Sequence, residues 1–217
     1  MMVGHYSTAL VAKAVDTRLP LGVLFVACQL VDIIWAALVL GGVEQVRLIP
    51  EFTASNPLDL HYMPYTHSLA AALGWGLVAI IVWSGLRAWR GWQGAALIVG
   101  AVVAGHWFCD LLVHVPDLPL YGDQHKVGLG LWEYRYPALA LEGVMLFGAL
   151  ALYYRATRPR TRGGTYGPII LAVVMFGVQV GSLFGPLPKN ATELGITGLV
   201  AFAVLAILAE WIDRKRG

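Results

Sequence analysis

The chain has 217 residues, 58% of them hydrophobic and only 13% charged, with a mean hydropathy of +0.68 and a net charge of +2. A water-soluble chain carries about 25% charged residues to coat its core, so this composition excludes a sizeable soluble domain and requires lipid around the exterior. The low net charge, with basic residues in short clusters, leaves no electrostatic footprint for nucleic acid.

In chain order, Gly4 to Val15 is apolar at most positions but too short to cross a bilayer. It is expected either to lie flat at the cytoplasmic interface or to enter as a half-helix. Lys13 lies near the end of this stretch and Arg18 follows it, and no cleavable signal peptide is expected. Six longer apolar runs come next: Leu21–Gly42, His67–Leu86, Gln93–Val115, Arg135–Tyr154, Gly167–Leu187 and Leu194–Ile212. Each suits about 30 Å of hydrocarbon at about 1.5 Å per residue, and lipid offers no partner for backbone amides, so each is expected to be a helix. The expected fold is an all-α integral membrane protein of about six transmembrane helices plus a short N-terminal half-helix. Residues 1–217 then form one transmembrane helical domain. Cys28 and Cys109 fall inside apolar runs and read as small core residues. No internal repeat supports an inverted-repeat transporter design.

Basic residues set the orientation. Lys13 and Arg18 precede the first span, Arg87 and Arg90 follow the second, and Arg155, Arg158, Arg160 and Arg162 follow the fourth. Arg214, Lys215 and Arg216 follow the sixth, so the positive-inside rule places both termini in the cytoplasm. Two long connections, Val43–Thr66 and Pro116–Tyr134, fall on the outer face and carry Glu44, Glu51, Asp59, His61, Asp117, Asp123, His125 and Glu133. They read as a polar cap or as functional loops. Trp89, Trp92, Tyr153, Tyr154 and Trp211 suit the interfacial aromatic belt.

The informative residues are those in the wrong solvent. A charged group within a span costs several kcal/mol and is read as functional with a partner nearby. Asp32 lies in the first run, His106 and Asp110 in the third and Glu142 in the fourth, while His67 opens the second and His114 closes the third. Counting about 1.5 Å per residue from the outer ends puts Asp32 about 15 Å down, His106 about 13 Å, Glu142 about 10 Å and Asp110 about 7 Å. His106, Asp110 and His114 share one helix face by their i, i+4, i+8 spacing. If Gly4–Val15 enters from the cytoplasm, Lys13 stays at the surface and His5 rises about 12–16 Å, near Asp32.

One reading gathers these. His5, Asp32, His67, His106 and Asp110 make a nitrogen-and-oxygen ligand set for zinc or a similar divalent ion, whose charge offsets the buried carboxylates. The competing reading is a hydrogen-bonded polar core that fixes helix packing. Glu142 is a candidate general base beside Asp110, or a partner for Arg135 or a neighbouring hydroxyl. Gln29, Gln179 and Trp107 read as packing or hydrogen-bonding residues.

The stretches Tyr65-Thr66-His67-Ser68-Leu69 and Gly105-His106-Trp107-Phe108-Cys109-Asp110-Leu111-Leu112 resemble the bacterial membrane-bound metal-dependent hydrolases. That family has an N-terminal histidine, an aspartate late in the first apolar segment, a T-H-S-L block and an S-H-x-x-x-D block. His5, Asp32, His67, His106 and Asp110 match these elements in turn. The likeness covers roughly the first half of the chain. Asp32 stands alone where the family commonly has an acidic pair, His61-Tyr62-Met63-Pro64 stands where it has a histidine and an arginine, and Gly105 replaces its serine. The resemblance implies a multi-pass protein of the bacterial cytoplasmic (inner) membrane. The family's hydrolase assignment rests on similarity to zinc phospholipases and leaves the substrate open.

Two functions follow as expectations. One is a hydrolase acting on a lipid or lipid-linked ester or phosphoester through a metal-activated water in the outer half of the bilayer, with Asp110 or Glu142 managing the proton. The other is a non-enzymatic transport or accessory subunit whose His/Asp cluster binds a structural metal, a cofactor such as haem or a pigment, or protons. Asp110 beside His106 counts against haem at that position. Expected partners are membrane lipid, a lipid-like substrate, and either a second copy of the chain or other membrane subunits.

Overall fold

The computed structural model describes residues 1–87 and 93–217, so Trp89, Arg90 and Trp92 lie outside the described residues. Among those described are eight α-helices, confirming the all-α reading: α1 His5–Val15, α2 Leu21–Cys28, α3 Leu30–Leu40, α4 Leu69–Arg87, α5 Gln93–Val113, α6 Arg135–Ala156, α7 Arg162–Phe184 and α8 Ala191–Asp213. Helices α4 to α8 are each long and apolar enough to cross a membrane. The first apolar run is not one rod. It breaks at Gln29 into α2 and α3, bent by 53°. The sequence holds no glycine or proline between Leu30 and Leu40 or next to the break, so composition offered no sign of it.

The first segment does not lie flat. Helix α1 packs into the bundle against α6, α2 and α5, with His5, Tyr6 and Ala9 at 1% exposure or less. Its eleven residues reach about 16 Å, half a bilayer. Glu142 of α6 holds its start, accepting from the Met2 and Gly4 amides at 3.0 and 3.1 Å. Lys13 holds its end. The expectation that Lys13 stays at the surface is wrong: its ammonium is buried, 2.7 Å from Asp213 Oδ2 at the end of α8. It also donates to the Thr17 and Leu19 carbonyls at 2.7 and 2.8 Å, which the turn into α2 leaves open. Tyr153, placed in the interfacial belt by sequence, is fully buried and donates to Asp213 Oδ1 at 2.9 Å. Arg216 is likewise buried; its guanidinium donates to Thr157 Oγ1 at 2.8 Å and stacks 4.2 Å from the Tyr154 ring centroid. Trp211 does stay exposed, with the Lys215 ammonium over its ring. Just past α1, Arg18 donates to the Asp16 carboxylate, and this hydrogen bond holds the Asp16 carboxyl below its ordinary range.

Close helix approach comes from small residues, as expected where lipid removes any hydrophobic drive between helices. A Cβ on Gly100 would meet the Ile80 side chain and lie 2.8 Å from the Gly76 carbonyl, and one on Gly76 would lie 2.9 Å from the Gly100 carbonyl. That pair lets α4 and α5 touch backbone to backbone. Helix α8 runs along both halves of the broken span.

The two long connections are more ordered than loops. Strands β1 Gln45–Leu48 and β2 Leu58–Tyr62 form an antiparallel hairpin with a register shift between Gln45 and Arg47. The segment 116–134 folds back over the end of α5: Gly130 donates to the His114 carbonyl at 2.7 Å and Leu129 to the Leu111 carbonyl at 2.9 Å. It also joins the start of α4, where Leu69 donates to the Pro119 carbonyl at 3.0 Å. Gly128 presses against the His114 and Val115 carbonyls so closely that any side chain there would collide. Both connections therefore meet at one end of the bundle, the end where His67 precedes α4 and His114 follows α5.

Candidate metal centre

The break in the first span creates the centre's scaffold. A helix interrupted at Gln29 leaves the Cys28 carbonyl available, and His106 of α5 takes it: Nδ1 lies 2.8 Å away. Asp32 then falls in the first turn of α3, where the helix dipole favours a carboxylate. Irregular backbone at membrane depth survives where protein groups satisfy it, and here the imidazole does so.

The five residues named from sequence do come together. Asp110 is the hub. Its Oδ1 lies 3.1 Å from His5 Nε2, and its Oδ2 lies 3.1 Å from His106 Nε2 and 3.8 Å from His67 Nε2. Asp32 Oδ1 lies 3.2 Å from His67 Nε2 and 3.6 Å from His106 Nε2. His5 and His106 stack with ring centroids 3.7 Å apart and planes 6° from parallel. All but Asp32 are at most 3% exposed, while the Asp32 side chain is 21% exposed and is the cluster's outlet.

Three residues important to the centre were not in that set. His114 Nε2 also faces Asp110 Oδ1, at 3.6 Å, so four of the chain's six histidines converge. Its place on the His106–Asp110 helix face was legible, but it stood at the span's edge. Asp117 sits 2.8 Å from His114 Nδ1. Glu44, 1% exposed, accepts from the Tyr65 and Thr66 amides at 2.8 and 3.1 Å and from the Thr66 hydroxyl at 2.6 Å. The one sequence signal for Glu44 is an acid directly after an apolar run. Its partners lie 21 residues away and more, which spacing alone does not reveal.

These outer contacts fix the ring tautomers. A carbonyl only accepts, so His106 Nδ1 donates to Cys28. Asp117 accepts from His114 Nδ1. The Thr66 hydroxyl spends its proton on Glu44, so its oxygen accepts from His67 Nδ1 at 2.9 Å. In its neutral form each imidazole would thus turn an Nε2 lone pair toward the carboxylates. Oxygen-held Nδ1–H groups of this kind are how metal-ligating histidines are oriented. Lone pairs facing lone pairs need positive charge between them: extra protons, or bound metal.

The donor set fits a metal. His5 Nε2 and His106 Nε2 are buried, and their 3.1 Å contacts with Asp110 lack hydrogen-bond alignment. Ligands at about 2.0–2.2 Å from zinc stand about 3.3–3.6 Å apart at the edges of a tetrahedron. The four contacts of His67 and His106 with Asp32 and Asp110 run from 3.1 to 3.8 Å and bracket that edge. His67, His106 and Asp110, and separately His5, Asp32 and His106, bring donor atoms within 4.8 Å of one another.

Glu142 stands apart from these imidazoles by its partners. Both its oxygens are engaged, by the Met2 and Gly4 amides and by the Gln179 amide at 3.2 Å. Arg135, the alternative partner, instead donates to the Ala54 carbonyl at 2.6 Å. Gln29 reaches the Met2 carbonyl at 3.4 Å, as a hydrogen-bonding residue should, and Trp107 is buried. The Met1 amine lies 2.6 Å from Asp110 Oδ1. His61 sits on the hairpin, 3.2 Å from Gln45 Oε1. Comparison of the chain with protein-family models, curated proteins and solved structures finds no match.

Proposed function

We propose that the protein is a metal-dependent hydrolase of the bacterial inner membrane, with both termini in the cytoplasm, acting on a lipid or lipid-linked ester or phosphoester. The observation that carries the reading is the set of three imidazoles whose Nδ1–H groups are tied outward, leaving Nε2 lone pairs aimed at two carboxylates. His67, His106 and Asp110 would hold the ion, which we take to be zinc, leaving its fourth position open, with Asp32, His5 and His114 beside them. The bound ion supplies Lewis-acid polarisation of the scissile group and a water acidified toward neutrality.

The chain's own residues do the rest. Asp110 is buried and orients the imidazoles around it. Asp32 carries the partial exposure, so its carboxylate meets the arriving ester and accepts the proton of the attacking water. Glu142 acts at one remove: by holding the amides at the start of α1 it keeps His5 in place. The folded-back 116–134 segment keeps bulk water from His114, whose ring lies 4.2 Å from that of Trp132. The Thr-His-Ser-Leu and His-x-x-x-Asp stretches support the same reading through the family they resemble. A haem is disfavoured because two carboxylates face His106 Nε2, where a haem iron would need an open apolar slot.

The test is hydrolysis of a panel of carboxylic-ester and phosphoester lipids by zinc-loaded protein in proteoliposomes. Activity on one class, removed by chelation and by Asp32→Asn, supports the proposal. Absence of turnover across the panel, turnover indifferent to chelator, or a Soret or Q-band in the purified protein overturns it.

A further inference from the structure

The two oxygens of Asp110 serve different partners. Oδ2 belongs to the set already described, with His106 at 3.1 Å and His67 at 3.8 Å. Oδ1 faces the other way, toward His5 Nε2 at 3.1 Å and His114 Nε2 at 3.6 Å. One carboxylate with two imidazoles on each oxygen is the arrangement of a bridge. His106 has only Nε2 to give, since Nδ1 is committed to Cys28, so it cannot serve both sides.

The geometry points to a second divalent-cation position, held by His5, His114 and Asp110 Oδ1, so that Asp110 bridges two ions. Three observations carry it. His5 is fully buried; its Nδ1 has no hydrogen-bond partner, and its Nε2 lies 3.1 Å from Asp110 Oδ1 without hydrogen-bond alignment, a costly state for a buried imidazole. His114 has its Nδ1 fixed by a buried carboxylate, Asp117, as a ligating histidine does, yet the first position does not use its Nε2. Finally, His5 and His106 lie parallel, 3.7 Å apart, each pointing at its own oxygen of Asp110. Ions on the two ring axes would then sit about 3.5–4 Å apart, the spacing of two-metal hydrolytic sites.

The second position is the more open. The donors of His67, His106 and Asp110 already converge within 4.8 Å, and His5 also lies within that distance of Asp32 and His106, whereas His5 and His114 meet each other through Oδ1, on which the Met1 amine also rests at 2.6 Å. An ion entering there displaces that amine and draws in the two rings, with water completing its shell. Asp117 and Asp32 flank the pair and offset part of the added charge.

The inference rests on the metal-site reading above, and metal stoichiometry separates the two. Protein purified in detergent is stripped, reconstituted with excess zinc, desalted and measured by elemental analysis, with retained helicity checked by circular dichroism. Wild type is expected to hold two ions per chain, and His114→Ala and His67→Ala one each. Cobalt-loaded wild type should show weakened paramagnetism from exchange between neighbouring ions, a signal lost in His114→Ala. Saturation of wild type at one ion, or a His114→Ala variant with the same content and the same cobalt signal as wild type, overturns the second position and leaves the first. Wild type without any bound ion overturns both.

Discussion

Replacing Lys13 by methionine keeps the length and apolar stem of the side chain and deletes its ammonium. In the native structure that ammonium lies 2.7 Å from Asp213 Oδ2, with side-chain exposures of 8% and 9%, so solvent screens the pair little. Its loss strands a buried carboxylate with the Tyr153 hydroxyl and leaves the Thr17 and Leu19 carbonyls without their donor. Breaking a buried pair from one side costs about 3–5 kcal/mol. Removing both charges, in Lys13→Met with Asp213→Leu, eliminates the stranded ion. The double variant should recover to within about 1–2 kcal/mol of wild type, the remainder being the orphaned hydroxyl and carbonyls. Reversible unfolding in mixed micelles, run as a double-mutant cycle, reads both values. A Lys13→Met protein within about 0.5 kcal/mol of wild type, the range of ordinary surface changes, would refute the reasoning. Lys13 would then be solvated, and α1 would not be an inserted half-helix.

Other perturbations probe other parts of the structure. Thr66→Val and Glu44→Gln both cut the chain of hydrogen bonds behind His67, and metal affinity measured by competition with a chelating dye should fall about 10–100-fold in each. Gly100→Ala is expected to cost about 1–3 kcal/mol through its collision with Ile80 and Gly76, whereas Gly148→Ala, with nothing within 4 Å, should be neutral or slightly stabilising in the same thermal assay. Zinc at about 100 times its dissociation constant should stabilise the fold by about 2.7 kcal/mol, seen as a fall in Tm on adding chelator. The Asp16 carboxyl is held below its ordinary value by Arg18, so its contribution to stability is present above the ordinary carboxylate range and lost as pH drops through the lowered value. In Arg18→Ala, the Asp16 titration followed by NMR should move up toward that of a free carboxylate.

Hydropathy made the bundle legible because lipid forces each long apolar run to be a helix, whatever its neighbours do. The break at Gln29 was not legible, since it is made by tertiary partners: the His106 ring takes the Cys28 carbonyl, and those residues are 78 apart. Depth counting brought His5, Asp32, His67, His106 and Asp110 together, because 1.5 Å per residue holds in any straight helix. It could not place Glu44 or Asp117, which act on the imidazoles from connections whose path the sequence does not state. Lys13, Tyr153 and Arg216 were assigned to the surface by the usual habits of basic and aromatic residues at membrane edges. Instead they form a buried polar lock with Asp213 and Thr157 at the end of α1 opposite His5.

The central claim is that the four converging imidazoles and two carboxylates hold a metal. Elemental analysis of protein purified from membranes without added metal, beside His106→Ala and Asp110→Ala, tests it most directly. The account predicts stoichiometric divalent metal in wild type and loss of at least the first ion in both variants, with helicity retained. Equal metal content in all three proteins, or none in wild type even after reconstitution, would contradict it.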